Sequence, residues 1–154
     1  MTIILHPTRG GEASYPNQDR VITIAKEQNA RLIFLYVSDV QFLNRTASQV
    51  VLDVVAKEID EMGDFVLAIA QERAQKAGLE AEAIVRRGVF SEVLSEVIEE
   101  YQVDTLILGS SQEGQGLTTP EFLAQLSQEI NIETGATVII LSQGEIATTI
   151  PQQA

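Results

Sequence analysis

Residues 104–141 read DTLILGSSQEGQGLTTPEFLAQLSQEINIETGATVIIL, and this stretch decides the fold. Leu106, Ile107 and Leu108 form an apolar run without alternation, the pattern of a parallel strand covered on both faces. Gly109 ends the run, and Gly114 and Gly116 keep the following loop free of bulky side chains. Thr119 and Pro120 start a helix: the threonine can cap, and proline suits the first helical position because its missing N–H costs nothing there. Phe122, Leu123, Leu126 and Ile130 give that helix one apolar face, and residues 138–141 form the next buried strand. A glycine loop between a strand and a helix is where α/β sheets hold phosphates, because free backbone N–H groups and the helix dipole converge there. The plainer reading of the same glycines is a flexible connection.

Outward from this unit the pattern repeats. Ile3, Ile4 and Leu5 make a first buried strand, ended by His6 and Pro7, and residues 8–14 lead to a helix starting near Asn17. Residues 32–37 (LIFLYV) are the second strand. A long helix follows over residues 48–77, with Val51, Val55, Ile59, Met62, Val66 and Ile69 recurring at spacings of three and four. Gly63 costs that helix about 1 kcal/mol relative to alanine and marks a place for a kink. Residues 79–86 alternate as a less buried strand. Phe90, Val93, Leu94, Val97, Ile98 and Tyr101 make the next amphipathic helix. The alternation predicts an α/β domain over residues 1–142: a doubly wound five-stranded parallel sheet with helices on both faces. Its core is expected to hold Ile4, Leu5, Ile33, Leu35, Val85, Ile107, Leu108, Ile139 and Ile140. Residues 143–154 (QGEIATTIPQQA) show no lasting pattern and are expected to be a disordered tail.

The 154 residues carry a formal charge of −12, which opposes binding to nucleic acid or anionic lipid. Every Lys and Arg lies at or before Arg87, so the glycine loop and the helix after it carry acids, Glu113 and Glu121, and no bases. No apolar run approaches the roughly 20 residues of a membrane span, and the N-terminus makes a poor signal peptide, so a cytoplasmic location is expected. Without cysteine there is no disulfide, thiolate nucleophile or zinc-thiolate site. His6, the only histidine, reads as a hydrogen-bonded structural residue. Ser110 and Ser111 have no evident activating base, and Glu58, Asp60, Glu61 and Asp64 read as a solvated helix face rather than a metal site. Catalytic and metal-ligating residues are therefore expected to be absent.

With these elements placed, the chain resembles the universal stress protein family over residues 1–142. The likeness rests on the opening strand ending in Pro7 with a following Gly-x-Glu turn, and on LIFLYV. It rests further on the Arg87-Gly88 turn before a helix, and on DTLILGSSQEGQG with its helix and closing strand. The resemblance implies a flavodoxin-like fold with strand order 3-2-1-4-5 and a homodimer joined along the last strand. It also implies a cleft for ATP or AMP, with Mg, at Pro7, Thr8, Arg9, Gly109, Ser110, Gly114 and Gly116, the adenine lying near the Val37 backbone.

Members that bind nucleotide carry an aspartate after the first-loop proline and a motif Gly-x2-Gly-x9-Gly-(Ser/Thr). Here Arg9 takes the aspartate position. Gln112 falls where the second glycine belongs; inserting two residues makes Gly114 that glycine but puts Ala124 and Gln125 in place of the final pair. Arg9 can only donate where an acceptor is wanted. It can reach a phosphate, or it can pair with Glu113 or Glu12 and close the cleft. The reading that follows is a non-enzymatic regulatory module of the stress-response type with weak or no ATP binding. The alternative is an adenine-nucleotide-binding protein with a variant glycine loop. A hydrolase or nucleotidyl transferase ranks last, because no catalytic constellation accompanies the loop.

Overall fold

The structure, a computed structural model, describes residues 1–39, 48–110 and 119–153. In chain order the elements are β1 (Ile3–Pro7), α1 (Tyr15–Glu27, preceded by a short 3-10 turn, Glu12–Ser14), β2 (Arg31–Ser38) and α2 (Gln49–Lys76). Then come β3 (Ala81–Arg87), α3 (Phe90–Tyr101), β4 (Thr105–Gly109), α4 (Pro120–Thr134), β5 (Thr137–Ser142) and β6 (Glu145–Ile150). They form one sheet of order β3-β2-β1-β4-β5-β6. The first five strands are parallel, in the order the resemblance implies, and β6 runs antiparallel to β5.

Alternation along the strands divides the core into two layers. Leu5, Ile33, Leu35, Leu106, Leu108, Val138 and Ile140 pack with α3 and α4. Ile4, Leu32, Phe34, Ile107, Ile139 and Leu141 pack with α1 and α2. Of the expected core residues all are buried except Val85, which is only partly covered near the open edge of the sheet. Thr119 caps α4 as its sequence predicts, its Oγ1 accepting from the Phe122 N–H at 3.3 Å.

Two expectations change. Residues 145–150 are not a disordered tail but the sixth strand, so the domain does not end at residue 142. Gln143 (φ 51°) and Gly144 (φ 82°) turn the chain tightly back on itself, and the run IATTI, β-branched except at Ala147, pairs along β5. Asn131 holds the far end of β6: its Nδ2 donates to the carbonyls of Ala136 and Pro151, both at 2.8 Å, and its Oδ1 accepts from Gln153. Residues 138–141 are therefore not a free edge, and a second copy cannot pair along β5 while β6 is in place.

The second change concerns α2. It lies on the sheet through small residues, Ala56, Gly63, Ala70 and Ala74, together with Leu67, whereas Val51 and Met62 are exposed. Gly63 marks a close approach within an unbroken helix: a Cβ there would stand 2.5 Å from Cδ1 of Tyr36 on β2.

Candidate functional site

The winding of the sheet reverses between β1 and β4, and the carboxyl ends of β1, β2 and β4 mark the cleft where ligands bind in such folds. Pro7 ends β1. Thr8 follows, buried, its N–H donating to the Leu35 carbonyl at 2.9 Å. Gly10 and Gly11, at φ 77° and 80°, then turn the chain into the 3-10 turn and α1. Thr8 Oγ1 accepts from the Gly10 N–H and from Gln18 Nε2, at 3.3 and 2.9 Å, fixing this loop against α1. Arg9 is exposed and makes no ion pair with any described residue, Glu12 included; Glu113, like Gly114 and Gly116, lies outside the described residues. Val37 is half-buried near the end of β2.

On the β4 side Gly109 is a point of close approach, since a Cβ there would stand 2.8 Å from Asn17 Nδ2. Ser110 turns toward β5: its N–H and Oγ both donate to the Leu141 carbonyl, at 2.8 and 3.0 Å. Its hydroxyl is thus already committed.

Ala124 and Gln125 are not at the cleft end of α4. The helix begins at Pro120, so both lie in its second turn with exposed side chains, Gln125 donating to Glu129 at 3.2 Å. Their N–H groups are internal to the helix, where the i→i−4 ladder uses them. In the first turn Pro120 has no N–H, and that of Phe122 is taken by Thr119 Oγ1. What remains there is the N–H of Glu121, next to its own carboxylate, so this helix end grips an anion poorly.

His6 is buried against Phe34 and donates Nδ1–H to the Ile107 carbonyl at 2.7 Å. Burial lowers its pKa from 6.5 to about 4, with the hydrogen bond acting in the opposite sense, so the ring is neutral at pH 7. It is a structural member of the core.

The structure adds two residues that sequence reasoning missed. Gln18 is 1% exposed; its Nε2 donates to Thr8 and Ser14, and its Oε1 has no partner among the described residues. Ser38, at the end of β2, is fully buried with its Oγ equally unpartnered. Both lie toward the carboxyl end of the sheet, and buried polar atoms of this kind are ordinarily hydrogen-bonded. The available signal was Asn17-Gln18, an amide pair on the inward side of an amphipathic helix. Among the described residues no group of His, Cys, Asp or Glu has the arrangement of a metal site, and Asp60 is paired with Arg87 at 2.5 Å. No helix among them is long and apolar enough to cross a membrane.

Comparison with known proteins places this geometry. No curated protein matches the sequence. Among solved structures the chain is similar to universal stress protein UspA from Lactobacillus plantarum, with a TM-score of 0.72 and 17% identity over 91% of this chain and 97% of that one. It is similar to a universal stress protein solved in complex with cAMP (TM-score 0.64, 24% identity, 91% and 96% covered). A family protein from Arabidopsis thaliana with AMP bound gives a TM-score of 0.59 at 16% identity, with 92% of each chain covered. At these identities the structures attest the fold alone. The model of the universal stress protein family matches residues 1–126, and the chain belongs to that family.

Proposed function

We propose that this chain is a non-enzymatic regulatory module of the universal stress protein type, acting in the cytoplasm, whose cleft binds ATP weakly or not at all. The observation that carries this reading is the start of α4. Its first turn keeps one N–H beside a carboxylate, and the positions the family motif assigns to a phosphate-binding Gly-Ser pair sit a turn further on, facing solvent. A triphosphate carries several negative charges, and no base follows Arg87 to offset them or the acids near the loop. Any Mg2+ is expected to arrive with the nucleotide.

A second reading, an adenine nucleotide held in a variant manner, is favoured by the unpartnered Gln18 Oε1 and Ser38 Oγ. The family relatives that hold cAMP and AMP make a monophosphate the ligand class to test, because it asks less of the helix N-terminus.

Titration calorimetry with Mg-ATP and with AMP decides between them. The first reading expects no ATP binding below millimolar concentration, and no gain from Ala124→Gly with Gln125→Ser, since those residues are remote from the helix end. Micromolar ATP binding overturns it. Micromolar AMP binding that Gln18→Leu abolishes selects the second.

A further inference from the structure

The last strand is held to the sheet mostly by its backbone, and we infer that β6 is a releasable strap whose docking keeps the first cleft loop, residues 8–14, in place. Residues 145–149 are exposed, and of β6 only Ile150 packs against the core. By contrast Val138, Ile139, Ile140 and Leu141 of its partner β5 are all buried. An element with so little buried apolar surface opens at a lower free energy than the sheet it lies on. Its pairing is also irregular between Ile140 and Leu141. Side chains tie it at its two ends: Asn131 and Gln153 at one, Asn17 at the other.

The tie at the carboxyl end of the sheet runs into the cleft. The turn at Gln143 and Gly144 lies against the first turn of α1: the Gly144 N–H donates to Asn17 Oδ1 at 2.7 Å, and a Cβ on Gly144 would stand 3.0 Å from the Pro16 carbonyl oxygen. Asn17 is buried, and its neighbour Gln18 holds the loop through Thr8 Oγ1 and Ser14 Oγ. When β6 lifts, Asn17 Oδ1 loses the Gly144 N–H while still inside the fold. A buried acceptor left without a partner costs more than the bond it has lost, so the first turn of α1 shifts to bring water to it. That shift moves Gln18 and frees the loop. The docked strap thus fixes the β1 side of the cleft and the lifted strap loosens it. By reciprocity, whatever fixes the loop also holds β6 down. The relation is independent of what the cleft binds.

Amide hydrogen exchange of the full chain, followed residue by residue by NMR, tests the strap. Gln153 is exposed and donates to Asn131 Oδ1 at 2.6 Å, at the end of β6 opposite the turn and about 20 Å from it. Gln153→Ala should speed exchange over residues 145–150 about fivefold, the loss of one hydrogen bond, and by the same factor at Gly10 and Ser14 in the cleft loop. Ile150→Ala, which loosens the same end through packing, should give the same ratio between strap and loop. Exchange over residues 31–38 should not change. In Asn17→Ala the strap should still respond to Gln153→Ala and the loop should not, because alanine leaves no acceptor to hydrate. The inference is overturned if neither variant speeds exchange over residues 145–150, or if the strap speeds up and the loop does not. It is overturned too if the loop responds equally in Asn17→Ala, or if residues 31–38 rise with the rest, which would mean that the whole fold has opened.

Discussion

Asn17 Oδ1 accepts a hydrogen bond from the Gly144 N–H at 2.7 Å, joining the start of α1 to the turn that opens β6, 127 positions later. The same side chain turns its Nδ2 toward Gly109, where only glycine leaves room for it. One buried amide thus ties the first crossover, the end of β4 and the closing hairpin together. Asn17→Ala should cost about 1–2 kcal/mol, the loss of one buried hydrogen bond and the desolvation of its partner. Urea unfolding would measure the cost. Amide exchange should rise selectively over residues 144–150; a uniform rise over the whole sheet would show that Asn17 does not act on β6.

His6 makes stability depend on pH. Its folded pKa of about 4 lies below the ordinary 6.5, so the unfolded chain binds a proton that the fold resists. The contribution is complete above about pH 6.5 and is lost as pH falls toward 4, roughly 3 kcal/mol in all. Between pH 6.5 and 5, where most carboxylates stay ionised, about 2 kcal/mol should disappear, and His6→Gln should flatten that slope. Parallel slopes for the two proteins over this interval would remove His6 as the cause.

Gly63 should resist the substitution that helix propensity favours. Alanine would gain α2 about 1 kcal/mol as a helix, but its methyl would meet the Tyr36 ring, and overpacking costs about 1–3 kcal/mol. Net destabilisation is expected, smaller in a Tyr36→Leu background. Additive effects in the double mutant, measured by thermal unfolding, would show that the contact is not the reason for the glycine.

Removal of β6 should turn β5 into the edge that its sequence suggests. A chain ending at Ser142 would leave the backbone groups of residues 138–141 unpaired beside apolar side chains, a template for pairing with another copy. Light scattering of the truncated chain should show stronger concentration-dependent association than the full chain shows. A monomer with native far-UV circular dichroism would refute this.

Much of the molecule was legible as periodicity. Runs such as Leu106-Ile107-Leu108 announced strands covered on both faces, Thr119-Pro120 announced a helix start, and their alternation announced a parallel sheet. These signals are local: each residue's burial follows from the period of its own element. The missing motif residues at Arg9, Ala124 and Gln125 were also plain, because a motif is a statement about sequence.

Tertiary structure alone decided the rest. Residues 145–149 are exposed on β6, so no burial pattern marks them as a strand; backbone pairing to β5 and the distant amides of Asn17 and Asn131 do. The face of α2 that meets the sheet is chosen by how closely Gly63 lets it approach Tyr36, a property of two elements rather than one. The unpartnered groups of Gln18 and Ser38 exist only because separate strands and a helix converge at one end of the sheet. Sequence determined which segments fold and in what order, through periodic burial; tertiary packing determined which surfaces they leave open, because that depends on distances no single segment contains.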